Sequence, residues 1–242
     1  MGRAKEIRVK VIPAKIANEF VKKHHYSGKV APTSILHFGC FLDNQLHGVL
    51  SFGYPIDKKN VIGYVEDTKW NGFVELNRMA FDDYLPKYSE SRCIAVSMKL
   101  IKKHAPHVKW VLSFADGTQC GDGTIYRASG FSLIGITKNS TIHIMPNGFK
   151  FADIGLRGSS SQLRKKVGYT VGEKFSKFKE RSGAKRLVGF QLRYIYLIDK
   201  SCKITVPILP FSKIDEMHAG MYKGKKRLQA DAHKGDSGDQ SE

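Results

Sequence analysis

Residues 111–131, VLSFADGTQCGDGTIYRASGF, carry the reading on which the fold turns. An apolar, β-leaning run over 111–115 stops at Asp116 and gives way to a turn holding Gly117, Gly121 and Gly123. A short helix is expected to start near Asp122 or Thr124, either of which can cap it. That start places Tyr126 and Arg127 in its first turns and its end near Gly130. A strand end, a turn that lets backbone approach a ligand and a helix N-terminus together make a candidate site. The same residues also suit an ordinary strand-turn-helix connection, because Gly and Asp favour turns for conformational reasons.

Upstream of this stretch, residues 89–103 read as the clearest helix, with Ser89 or Ser91 as cap. Before it, FVELNRMAF at 73–81 reads as a strand with Glu75, Asn77 and Met79 on one face and Leu76, Arg78 and Ala80 on the other. An arginine among apolar neighbours needs a partner or an anion. Residues 35–42 and 46–52 form a hairpin around Asp43, Asn44 and Gln45. The chain opens with a strand over 5–13 and a short helix over 14–23 that runs into His24-His25-Tyr26-Ser27-Gly28.

Downstream, residues 131–137 and 141–144 read as a second hairpin, and a strand is expected at 193–198. Between them the charge changes: from 157 to 186, Arg157, Arg164, Lys165, Lys166, Lys174, Lys177, Lys179, Arg181, Lys185 and Arg186 face only Glu173 and Glu180. Two short helices, at 160–167 and 171–181, would carry this cluster. From 214 the sequence is polar and poor in large apolar residues, as a mobile tail is. The expected division is a core over 1–150, a basic extension over 151–213 that completes the fold and binds nucleic acid, and a flexible polar tail over 214–242. The order of elements is that of the acetyltransferase-like (GNAT) fold, an α/β (α+β) mixed, mainly antiparallel twisted sheet flanked by helices, here with a basic helical C-terminal extension.

A length of 242 residues suffices for a core, and a formal net charge of +18 makes nucleic acid the first partner to consider. Cys40, Cys93, Cys120 and Cys202 show no CxxC pair, which fits a reducing cytoplasm rather than a disulfide framework or zinc knuckle. No long apolar run indicates a membrane span. GxSxG and GxxxxGK[ST] are absent, which removes serine-elbow hydrolysis and P-loop chemistry. His25 and Tyr26 supply a base near neutral pH and a phenol, and Asp116 can orient a base, accept a proton or close a turn. His25, Tyr26 and Asp116 are also plausible ligands for ferric iron.

HHYS at 24–27, ELNRMAF at 75–81 and FADGTQCGDGTIYRASGF at 114–131 together resemble the Mom family of phage DNA-modification proteins. The resemblance implies a GNAT-like fold, carbamoylmethylation of the adenine exocyclic amine in double-stranded DNA, protection against restriction and a host-cytoplasmic location. It places essential roles on His25, Tyr26, Arg78, Asp116 and Tyr126, with iron at the His25, Tyr26 and Asp116 group. Donor contacts are expected from Glu75, Asn77, Arg78 and Ser91.

Ordinary acetyltransferases hold a cofactor pyrophosphate on a glycine-rich turn after the central strand. Here residues 82–91 contain no glycine and three carboxylates, Asp82, Asp83 and Glu90, so coenzyme A is not expected to bind in that manner. A glycyl group on nitrogen is an isomer of the carbamoylmethyl group, so a glycyl ester such as glycyl-tRNA, with later rearrangement, is a donor alternative to acetyl-CoA. His25 or Asp116 would serve as base on a flipped adenine. The rival readings are a non-catalytic basic DNA-binding protein and a conventional acetyl-CoA-dependent N-acetyltransferase.

Overall fold

The computed structural model describes residues 2–157, 161–222 and 225–227. In chain order its elements are β1 (Arg8–Val11), α1 (Ala14–His24), β2 (Ser34–Leu42), β3 (Gln45–Gly53), α2 (Lys58–Val61), β4 (Phe73–Phe81), α3 (Ser89–His104), β5 (Trp110–Asp116) and α4 (Thr124–Ala128). There follow β6 (Ser132–Lys138), β7 (Ile142–Ile144), β8 (Lys150–Ala152), α5 (Ile154–Arg157), α6 (Ser161–Val167), α7 (Phe175–Ser182), β9 (Lys185–Arg186) and β10 (Phe190–Leu197). The last are α8 (Ser212–Glu216), β11 (Met221–Tyr222) and β12 (Lys225–Lys226).

A seven-stranded sheet, ordered β1-β2-β3-β4-β5-β10-β6, organises the molecule. Its strands pair antiparallel except for β4 and β5, which run parallel. Local chemistry explains the first hairpin: Asp43 and Asn44 take positive φ of 51° and 61°, which a two-residue turn matched to strand twist requires. Alternation along β3 buries both faces. Leu50 joins Phe38, Leu76, Ile94, Met98 and Val111 under α3, while Val49 joins Ala17, Val21 and Ala80 under α1. Beside the α1 layer, Val61, Val65, Phe73, Trp110, Leu112 and Ile195 form a further apolar patch. This is the mixed, mainly antiparallel sheet with helices on both faces that the GNAT-like reading requires.

Strand β4 departs from simple alternation. Ser51 is opposite Arg78 and Phe52 opposite Leu76, so Asn77 is an extra, bulged residue. The bulge shifts parity by one and turns Glu75 and Arg78 to the same face, contrary to the alternation expected from sequence. Pairing between β4 and β5 stops at Leu76 and Ser113, although β4 runs to Phe81 and β5 to Asp116. Beyond that point the two strands part, and the gap at their C-terminal ends is the switch point where ligands of such sheets bind.

Three expectations need correction. Strands form at 132–138 and 142–144 but do not pair with each other: β6 lies on β10, and β7 on β8 and β9. The basic region is therefore an insertion at the tip of the β6–β10 pair rather than a C-terminal extension, and a boundary at 150 would cut its small sheet. It carries its own core of Phe151, Leu156, Val167, Phe178 and Ala184. The chain must return after it because Leu192, Tyr194 and Ile195 of β10 are apolar on both faces and buried between β5 and β6.

The third correction concerns the tail. Ile214 is wholly buried, and Arg227 pairs at 2.8 Å with the fully buried carboxylate of Asp122. Asp122 also takes Arg127 at 3.5 Å, the Met221 amide at 3.2 Å and the Thr124 hydroxyl at 2.9 Å. It anchors the C-terminal segment on the β5–α4 turn, while Gly123, with φ 86°, occupies the helix N-cap. The rest of the expected tail, 228–242, lies outside the described residues. Arg227→Ala is expected to cost about 3 kcal/mol in thermal or denaturant unfolding, since a buried carboxylate loses its nearest cation.

Among the described residues no helix is long and apolar enough to cross a membrane.

Candidate active site

The parting of β4 and β5 gathers side chains from four elements. Glu75 and Arg78 come from β4, Asp116 from the end of β5, and Tyr126 from α4, while His25 and Tyr26 follow the last turn of α1. Ser113 sits where pairing ends; its hydroxyl donates to the Leu76 carbonyl at 3.1 Å and engages the Tyr126 hydroxyl. The five positions singled out by the family resemblance thus meet in one place, with Glu75 and Cys120 among them.

Asp116 closes a turn and orients its neighbours. Its Oδ1 accepts from the Thr118 amide at 2.9 Å and from the Thr118 hydroxyl. Its Oδ2 accepts from the Tyr26 hydroxyl at 3.2 Å and from Gln119 Nε2 at 3.1 Å. An ionised carboxylate offers about four acceptor positions, and four donors use them. Asp116 thereby ties the turn and Tyr26 together. Tyr26 is 50% exposed, yet its hydroxyl is turned inward, and burial followed by the Asp116 charge raises its pKa.

His25 is held just as specifically. Its Nδ1 accepts from the Ser27 amide at 3.2 Å and lies 2.8 Å from the Ser27 hydroxyl, while its ring packs on Tyr26 at 4.3 Å. The amide can only donate, so a neutral ring carries its proton on Nε2. Burial, and then the Arg78 charge, lower the His25 pKa to about 4. At neutral pH His25 is an uncharged N–H donor, which does not suit the base role expected from sequence.

Glu75 has the opposite character. Among the described residues it has no hydrogen-bond or ion-pair partner, and burial raises its pKa to about 7 against the opposing pull of Arg78. The partners that Arg78 finds are backbone carbonyls. Its Nε donates to the Lys29 carbonyl at 2.7 Å and Nη1 to the Asn77 carbonyl at 2.5 Å, which leaves Nη2 without a partner among the described residues. Asn77 braces the bulge through the Ser34 hydroxyl at 2.8 Å. The Tyr126 phenol is pushed up to about 12 by burial. The Cys120 thiol, on an exposed residue, is kept protonated by local burial and by Asp116. Sequence reasoning placed Glu75 among donor contacts and passed over Cys120, Ser113 and Gln119, because only the fold shows what they face.

Ser91 is not part of this cluster. Its hydroxyl donates to the Tyr88 carbonyl, and it lines a separate cleft of about 540 Å³ between α3, the end of α4 and the N-terminal segment, with Lys5, Lys87, Arg92 and Lys99. The start of α3 is ill suited to a pyrophosphate: the Ser89 amide is bonded to the Pro86 carbonyl and Glu90 lies in the first turn. Iron is not matched by the donor set either. Among the described residues no three His, Cys, Asp or Glu side chains form a metal-binding group. His25 Nδ1 and both Asp116 oxygens already hold hydrogen bonds, and the Tyr26 phenol is held away from phenolate.

A mixed sheet opened between its parallel strands, with two carboxyl groups, a guanidinium, an imidazole and two phenols gathered at the opening, defines a GNAT-like protein with a polar cluster at its parting strands. Residues 6–213 match the Mom protein family, and the chain belongs to that family. Methylcarbamoylase mom of Escherichia phage Mu is 41% identical over 133 residues, which are 54% of this chain and 55% of that protein. The match therefore spans about half the length of this curated relative. Solved structures with a similar course include a Bacillus subtilis acetyltransferase in complex with CoA (10% identity, 79% of this chain and 98% of that one, TM-score 0.42). The ribosomal-protein-S18-alanine N-acetyltransferase of Escherichia coli is another (8% identity, 80% and 94%, TM-score 0.42).

Proposed function

We propose that this protein converts the exocyclic amine of adenine in DNA to a carbamoylmethyl-amine. The carrying observation is the cluster itself: Glu75, without a hydrogen-bond partner among the described residues and raised to about 7 by burial, shares a face of β4 with Arg78 while His25 offers an N–H. The printed activity of the phage Mu relative supplies the reaction class, and a net charge of +18 suits a polyanionic substrate.

The adenine N6 lone pair is delocalised into the ring, and in a duplex the amine is base-paired. A flipped base presents that amine to the pocket. Glu75, once ionised, takes the N6 proton as nitrogen attacks the acyl carbon; Arg78 Nη2 and His25 Nε2–H stabilise the oxyanion that forms. Asp116 fixes Tyr26 and the turn, and Tyr126 closes the floor. A glycyl ester contains every atom of the group: attack by N6 expels the alcohol and leaves an N-glycyl adenine, whose rearrangement yields the isomeric carbamoylmethyl-amine. An acetyl donor would lack the second nitrogen. RNA carrying such an ester would meet the cations of the cleft beside Ser91.

The inserted module is the proposed DNA anchor. Lys165, Lys166, Lys174, Lys177, Lys185 and Arg186 are exposed on it. Arg181 is instead tied to Glu173 at 3.0 Å, and Arg164 Nη1 donates to the Leu156 carbonyl. Lys179 lies 5.6 Å from the Phe175 ring. Replacing Lys165, Lys166 and Lys177 together with alanine is expected to lower the slope of log affinity against log salt by about 0.9 per lost phosphate contact, without changing the unfolding temperature. A salt titration of DNA binding checks this.

The test of the function is mass analysis of nucleosides from DNA co-expressed with the protein. A deoxyadenosine with one N6 hydrogen replaced by a carbamoylmethyl group is expected, and unmodified deoxyadenosine throughout would overturn the proposal.

A further inference from the structure

Beside the reaction pocket, on the same face of the sheet, lies a second feature that the proposed chemistry does not use. Lys58, at the start of α2, is only 7% exposed. Its ammonium sits 3.7 Å from the Tyr54 ring, 4.5 Å from Trp70 and 5.4 Å from Phe73, and has no hydrogen-bond partner among the described residues. Cation–π attraction offsets part of the desolvation, but its hydrogens have no acceptor. Around it Tyr54, Pro55, Ile56, Asp57, Lys59 and Trp70 enclose a cleft of about 400 Å³. Its rim is apolar and open: Ile56 is 79% and Trp70 57% exposed.

Position gives the cleft its meaning. Tyr54 directly follows Gly53, the register partner of Glu75, and Phe73 precedes Glu75 by two residues on the same face of β4. Two residues of strand advance by roughly 7 Å, about the span of one nucleotide along a single strand. A ligand that stacks on an indole, brings an oxygen anion to a buried ammonium and joins a substrate one step away is a nucleotide.

We propose that this cleft binds the nucleotide neighbouring the target adenine, with its base stacked on Trp70 and its phosphate on Lys58. The inference rests on DNA being the substrate and adds a contact that holds the strand in register while the adenine occupies the Glu75 pocket. Stacking tolerates any base, so this contact supplies affinity and register rather than sequence readout.

The chain's other tryptophan, Trp110, is fully buried, so quenching by DNA reports on Trp70. A single-stranded oligonucleotide containing adenine is titrated into the full chain. Emission is expected to fall on binding; Trp70→Ala should bind about 10- to 100-fold more weakly and Trp70→Phe near the native level. Lys58→Met, of similar length and uncharged, should lower the salt slope by about 0.7, with unfolding temperatures confirming that each variant is folded. Native binding without quenching, together with undiminished affinity of Trp70→Ala, would overturn this inference alone. Failure of the native protein to bind DNA at all would overturn both it and the proposed function.

Discussion

Glu75→Gln is expected to lower modification by about 10²- to 10⁴-fold, the usual contribution of a positioned base, and at the same time to stabilise the protein at pH 8. Both effects follow from one cause. The carboxyl's folded pKa, about 7, lies above its usual 4.5, so the fold favours the protonated form. Glu75 therefore costs nothing below pH 4.5, costs progressively more as pH rises toward 7, and costs a constant amount above that. At 1.36 kcal/mol per unit the full cost is roughly 3 kcal/mol, and about half of that once partial solvation is allowed for. Glutamine keeps the shape and removes the charge. Unfolding temperature against pH should show the gap opening between pH 5 and 7, while the native enzyme's rate rises with pH through about 7 and levels off. A variant with native activity would remove Glu75 from the mechanism.

Asp116→Ala and Asp116→Asn are expected to separate positioning from proton transfer. Alanine leaves the Thr118 amide and hydroxyl, the Tyr26 hydroxyl and Gln119 Nε2 without their shared acceptor. A loss of about 1–3 kcal/mol in stability and of more than about 10²-fold in rate, as Tyr26 and the turn drift, is the expected outcome. Asparagine keeps an oxygen for the Thr118 amide and should retain about a tenth of the rate with near-native stability. An asparagine variant as inactive as alanine, yet fully stable, would instead make Asp116 the base. Rates from nucleoside analysis and unfolding by circular dichroism decide between these outcomes.

The two variants also test how the site is built. Glu75 and Arg78 are three residues apart, and ordinary strand parity would set them on opposite faces. The bulge at Asn77 reverses that and sets the carboxyl and the guanidinium on one face. Residue spacing alone carries no sign of the bulge, because it is fixed by the Ser51 and Phe52 partners on β3. His25 was legible as a titratable group after a helix, but its protonation depends on burial and then on Arg78, contributed by β4, and its tautomer on the Ser27 amide. Lys58 and Trp70 carry no motif and emerge only when α2 folds over Phe73.

By itself the sequence determined the kinds of residue available, the strand-turn-helix unit at 111–131, the hairpin at 35–52, the basic character of 157–186 and the family. These are local patterns, set by side-chain periodicity, turn chemistry and charge, which neighbours in the chain suffice to produce. Tertiary structure decided that the basic region is an insertion, that Met221 and Arg227 clamp the turn through Asp122, and that the acceptors of His25 Nδ1 and Asp116 are taken up by neighbours while Glu75 has no hydrogen-bond partner among the described residues. Those outcomes depend on burial and on partners far away in the chain, and desolvation with long-range pairing sets them.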